Sequence, residues 1–224
     1  MDSKVLSSDL INLDLNPGGG NKSTYLKSII NGCNPSHKEK CEPIWVRNQR
    51  NDFDSAFINW PNQLLYNAIW PTYDYGCGDI NITFDFKMKR MLNWMSKPKT
   101  TLGFMYITAL PNEISRFLDN VSQVAHDNHL NIILIFFGIK QPLFMAIGPK
   151  FKVHSKLHVP ITLVDIYPII ENILLLSHEK FHRDGNVTLA SLLVNMSAGH
   201  PEVNILTLVI SKLKHSLLIY PKIT

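Results

Sequence analysis

At 224 residues, 45% of them hydrophobic and 18% charged, the chain is long enough to bury a sizeable core and too apolar for a disordered or collagenous polypeptide. One domain is the default at this length. The net charge of +4 comes from 22 basic and 18 acidic residues. They are scattered apart from the short Lys87/Lys89/Arg90 and Lys152/Lys156 groups, which leaves no electrostatic footprint for nucleic acid.

Residues 1–24 read as a flexible tail, because Asn16-Pro17-Gly18-Gly19-Gly20-Asn21 favours turns over any regular element. The terminus itself, Met1-Asp2-Ser3-Lys4-Val5-Leu6, is charged and lacks the apolar stretch of a signal peptide. No segment nears the roughly 18 apolar residues of a membrane span. Cys33, Cys41 and Cys77 are too few for a disulfide framework and lack C-x-x-C spacing for zinc. Two readings stay open: a single bridge, Cys33 with Cys41, in an oxidising compartment, or three free thiols in a reducing one.

An α/β domain is expected over residues 25–200, with 201–224 as a C-terminal extension packing on it. Strands are predicted near 55–60, where an aromatic run is stopped by Pro61, and near 101–109, 130–137 and 143–147. A loop broken by Pro61, Pro71 and Gly76 runs to about Cys77. Phe86, Met88, Met91, Leu92 and Met95 lie near helical spacing within 84–95. Ile114, Phe117, Leu118, Val121 and Val124 form one stripe of a helix over 112–129. Residues 161–176 read as helical, with Pro168 capping or kinking them. This alternation argues a sheet layered by helices.

Four segments in this order carry a resemblance: Pro43-Ile44-Trp45-Val46, Ser55-Ala56-Phe57-Ile58-Asn59-Trp60-Pro61, Gly148-Pro149-Lys150-Phe151 and Val164-Asp165-Ile166-Tyr167-Pro168. Together they resemble the ectonucleotide pyrophosphatase/phosphodiesterase family of the alkaline phosphatase superfamily, over roughly residues 40–194. The resemblance implies an alkaline-phosphatase-like layered sheet with helices on both faces, reduced or incomplete at its N-terminal side and exposing an edge that a partner protein or self-association would cover.

It also implies phosphodiester chemistry with two zinc ions and a Thr nucleophile. The matched ligand positions, however, hold Asn112 and Arg116 in place of the Asp and His of a D-x-x-x-H pair. Phe136 and Phe137 replace the Asp and His of a D-H-G strand end, and Asn186 replaces a distal His. The family's remaining Asp and its Thr precede the Pro43 segment by a long stretch, and residues 1–24 show no match to its first strand. Zinc takes thiolate, imidazole or carboxylate, so no bound cofactor is expected and the chain reads as a catalytically inactive homologue. Trp60 and Tyr75, with Tyr73 as alternate, fall where the family walls its ligand with aromatic rings.

Two other readings compete. One is an active phosphodiesterase whose ligands lie elsewhere. The other is a zinc hydrolase, because His178-Glu179-Lys180-Phe181-His182 matches H-E-x-x-H. That motif is cut short by Asp184-Gly185-Asn186, which breaks a helix. His126-Asp127-Asn128-His129 reads as a helix C-terminus favoured by the dipole. Gly18-Gly19-Gly20 fails the spacing of a phosphate loop, and no serine sits in a G-x-S-x-G elbow. Five N-x-S/T sequons, at Asn21, Asn81, Asn120, Asn186 and Asn195, exceed the about two expected by chance and fit descent from a secreted glycoprotein. The resemblance points the same way, against an N-terminus that does not read as a signal peptide.

Overall fold

The computed structural model describes residues 11–14, 22–33, 41–60, 66–76, 82–108, 111–136, 143–152, 161–176, 184–194 and 204–211. The elements in chain order are β1 (Ile11–Asp14), α1 (Lys22–Asn31), α2 (Ile44–Arg50), β2 (Asp54–Ile58), β3 (Tyr73–Tyr75), α3 (Phe84–Met95), β4 (Thr100–Thr108) and α4 (Pro111–Asp127). Then follow β5 (Leu130–Phe136), β6 (Leu143–Ile147), β7 (Ile161–Thr162), a 3₁₀ turn (Leu163–Asp165), α5 (Ile166–Leu174), α6 (Val187–Leu193) and β8 (Asn204–Ser211).

The strands form one sheet in the order β3-β2-β4-β8-β5-β6-β1-β7. From β3 to β5 every pair is parallel; β6 runs antiparallel to both β5 and β1, and β7 is parallel to β1. All seven residues of β5 are buried, as a strand covered on both faces requires. Its side chains alternate between two clusters. Ile133 and Ile135 join Phe57, Phe104, Val209 and residues of α1, α2, α5 and α6. Ile132, Leu134 and Phe136 join Met105, Leu208 and residues of α3 and α4. The result is a three-layer α/β/α arrangement.

Local chemistry sets the helix ends. The Thr83 hydroxyl accepts from Phe86 N at 3.3 Å and opens α3. Phe117, Val121 and Ala125, spaced by four, form the buried stripe of α4. Pro168 sits within the first turn of α5, where a missing N–H costs nothing.

Four expectations are corrected. Residues 1–24, read as a tail, contain β1 and the start of α1. The loop to Cys77 contains β3. Residues 161–176 open as strand and 3₁₀ turn before the helix, because Asp165 Oδ2 accepts from both Thr162 N and Thr162 Oγ1 at 2.7 Å and closes a capping box. The segment 201–224, read as an extension, supplies β8, which lies between β4 and β5 with all of Ile205–Ile210 buried.

Polar ties fasten the layer made by α1, α2 and α5. Cys33 and Cys41 form a disulfide, which settles the two readings of the thiols in favour of the bridge. Gly32 has φ +65°, and a Cβ there would meet the Tyr167 ring at 2.5 Å, so only glycine fits. Tyr167 OH donates to Glu42 O at 3.0 Å. Arg50 Nη1 pairs with Glu42 Oε1 at 2.6 Å, and Arg47 pairs with Glu171. Beneath α2, the Asn48 carboxamide donates to Asp54 O at 3.0 Å and Ser55 Oγ at 3.1 Å and accepts from Thr101 Oγ1 at 2.9 Å, joining the helix to β2 and β4.

Candidate functional site

In an open, mostly parallel sheet, ligands bind beyond the carboxyl ends of the strands. Here that edge is marked by Ile58, Tyr75, Thr108, Ser211 and Phe136, the last residues of β2, β3, β4, β8 and β5. The register extends it further. Phe136 faces Leu143, and Leu143 faces Asn12, so Leu13 and Asp14 continue past that level and Asp14 stands beside Thr162. A first strand is therefore present where the sequence showed no match, and it closes on a carboxylate-bearing residue. The signal was faint: Ile11-Asn12-Leu13-Asp14 is four residues next to a glycine run.

The other matched positions carry different chemistry. Phe136 is 5% exposed and belongs to the apolar cluster with Ile132, Leu134, Phe117 and Val121. Arg116 is exposed on α4, and its carbonyl accepts from Asn120 Nδ2 at 2.8 Å. Asn112 lies in the first turn of the same helix. Asn186 is the N-cap of α6, where its Oδ1 accepts from Thr188 N at 3.0 Å and Leu189 N at 3.2 Å. Phe137, the His178-Glu179-x-x-His182 motif and the sequons at Asn21, Asn81 and Asn195 lie outside the described residues. Among the described residues no three His, Cys, Asp or Glu side chains converge on a metal-sized site. A buried phenyl ring and an exposed guanidinium are no zinc donors.

Sequence reasoning missed the organising role of Asp165, which is buried. Besides holding Thr162, it accepts from Asn186 N at 2.7 Å through Oδ1. One carboxylate thus ties the end of β7 to the entry of α6.

The aromatic positions separate. Trp60 is 2% exposed, edge-on to Phe57 at 5.9 Å and to Phe104 at 5.4 Å, so its ring is core and not a wall facing solvent. Tyr75 is half-buried, with Arg90 4.3 Å from its ring centroid, and Arg90 also lies 5.1 Å from the ring of Trp94. Tyr73 stacks on Trp94 at 5.4 Å, with Lys97 4.2 Å from its centroid. Rings and cations therefore cover one another along β3 and α3. Where β2 ends, the Asn59 carboxamide, turned so that its O and N exchange places, donates to Gly76 O at 3.0 Å and accepts from Lys87 Nζ at 2.7 Å, pinning this corner.

No protein-family profile matches the chain. Over 78 residues it is 36% identical to an uncharacterized pyrophosphatase/phosphodiesterase of Schizosaccharomyces pombe; the match covers 32% of this chain and 16% of that relative. Human ectonucleotide pyrophosphatase/phosphodiesterase 5 superposes with a TM-score of 0.62 at 13% identity, over 77% of this chain and 88% of that one. The chain resembles the nucleotide pyrophosphatase/phosphodiesterases in fold and, over that 78-residue segment, in sequence. The murine type 5 protein gives the same TM-score at 12% identity, covering 82% and 90%. An inactive form of it in complex with AMP superposes at 0.60. At these identities the structural likeness concerns the fold, and the sequence match spans about a sixth of the curated relative's length. Among the described residues no helix is long and apolar enough to cross a membrane.

Proposed function

We propose that this chain is a catalytically silent relative of the nucleotide pyrophosphatase/phosphodiesterases, binds no zinc, and acts through contact with a partner or a second copy of itself. The observation carrying this reading is the burial of Phe136 at a strand end that metal chemistry needs polar and wet. The capping duty of Asn186 and the exposure of Arg116 support it. For the contact role, the support is at the β3 side of the sheet, where Trp70 and Phe86 are 51% and 47% exposed beside an outermost strand. The Cys33–Cys41 bridge and the five sequons support maturation in an oxidising, secretory compartment as a glycoprotein.

Zinc content of the purified chain and hydrolysis of bis(4-nitrophenyl) phosphate test the reading together. The expected result is substoichiometric zinc and no turnover above the uncatalysed rate. Stoichiometric zinc with turnover would establish a phosphodiesterase whose ligands, Asp14 among them, come from elsewhere in the chain. Zinc that disappears in His182→Ala would establish the zinc hydrolase. Sedimentation across a concentration series tests self-association.

A further inference from the structure

Two of the sequons lie wholly within described residues, and they are built differently. At Asn120-Val121-Ser122 the middle residue is 3% exposed in the buried stripe of α4, and Asn120 Nδ2 is engaged by Arg116 O. At Asn186-Val187-Thr188 all three residues are exposed. Asn186 has extended backbone angles, φ −82° and ψ 105°. Its cap uses Oδ1 alone, for Thr188 N and Leu189 N, and no bond to its Nδ2 is formed among the described residues.

We propose that Asn186 carries an N-linked glycan while continuing to cap α6. In the transfer, Nδ2 bonds to the anomeric carbon of an oligosaccharide held on a lipid pyrophosphate. The bond from that carbon to the pyrophosphate oxygen breaks, the lipid pyrophosphate leaves, and one Nδ2 proton passes to a base of the transferase. The carboxamide C=O survives unchanged, so the cap and the glycan use opposite ends of one side chain.

The anchorage is rigid. A Cβ on Gly185 would meet Val164 O at 2.3 Å and the Pro168 ring at 2.8 Å, so residue 185 lies tight against the start of α5. Asn186 N is held by Asp165, which also holds Thr162, the neighbour of Asp14. The sugar is therefore rooted at the carboxyl edge of the sheet, where a hydrolase would need open access. This inference rests on the secretory reading above for its compartment only.

The test uses the full chain directed by a cleavable leader into the secretory pathway of a eukaryotic host, which makes its outcome independent of the natural route and of any zinc result. Glycosidase release in heavy-oxygen water should convert Asn186 to a labelled Asp in the secreted protein. Asn186→Gln and Thr188→Ala should each remove that glycan, and Thr188→Ala keeps the cap residue as a folding control. Because the released Asp still caps, deglycosylation should leave the thermal midpoint unchanged. Secreted, folded protein with residue 186 unmodified would overturn the proposal. A midpoint lowered by deglycosylation alone would overturn the shared use of the side chain.

Discussion

Arg47 on α2 and Glu171 on α5 form an ion pair whose side chains are 3% and 1% exposed. In such a pair attraction offsets two desolvation costs, and removing one partner leaves the other's buried charge uncompensated by its counter-ion. Glu171→Ala or Arg47→Ala should each cost about 3–5 kcal/mol, while the double change Arg47→Met with Glu171→Leu should fall near wild type. Urea unfolding of the three variants measures this. Additive losses in the double variant would show that the pair is not an isolated unit.

Asn48 poses the opposite problem, a neutral amide serving three elements. Asn48→Asp keeps the acceptor used by Thr101 but turns a carboxylate oxygen toward Asp54 O. The loss at neutral pH should be about 2–3 kcal/mol. A buried carboxyl that faces a carbonyl oxygen and keeps only the Thr101 hydroxyl as donor has a folded-state pKa above its unfolded one, so the native variant takes up protons first. Its deficit should therefore shrink as pH falls from 7 to 5, measured against wild type at each pH.

The bridge between Cys33 and Cys41 closes a short loop, with a sequence separation of 8. Chain entropy for that loop corresponds to about 2.5 kcal/mol. Paired substitution of both cysteines by Ser should lower stability by that order, and reductant should lower wild type but leave the paired variant unmoved. A variant as stable as oxidised wild type would mean the bridge is incidental to the α1–α2 connection.

Phe136 tests whether a metal site can be built at the end of β5. Phe136→Asp places a carboxylate in the cluster with Phe117 and Val121, at a cost of ~4 kcal/mol or more. Combined with Phe137→His, it should yield a less stable protein that still takes up no zinc, because Asn112, Arg116 and Asn186 offer no companions. A stable, zinc-loaded double variant would show the site to be latent and would sink the silent-relative reading.

What could be read from the sequence follows from what is local. The strands near 55–60, 101–109, 130–137 and 143–147 were legible because unbroken apolar runs between turn residues have few alternatives, and they are observed at Asp54–Ile58, Thr100–Thr108, Leu130–Phe136 and Leu143–Ile147. The short strands were not. Ile11–Asp14 and Tyr73–Tyr75 are held by neighbours in the sheet, and their own residues are too few to show a period. Asn204–Ser211 was read only as part of an extension, because its place between β4 and β5 depends on partners far away in sequence. At the candidate site, Phe136 followed from its strand, whereas the core placement of Trp60 and the joining role of Asp165 depend on contacts that no local pattern announces.

The position of β8 bears on how the protein is made. Leu102 and Leu130 wait for partners at Ile205 and Asn204, so neither half of the sheet can complete its ladder until residues 204–211 have been made. Such late, distant parallel pairing slows folding and leaves apolar strand edges open meanwhile. Nascent chains halted before residue 204 should consequently aggregate or be held by chaperones, and a premature stop there would be as damaging as one near the beginning.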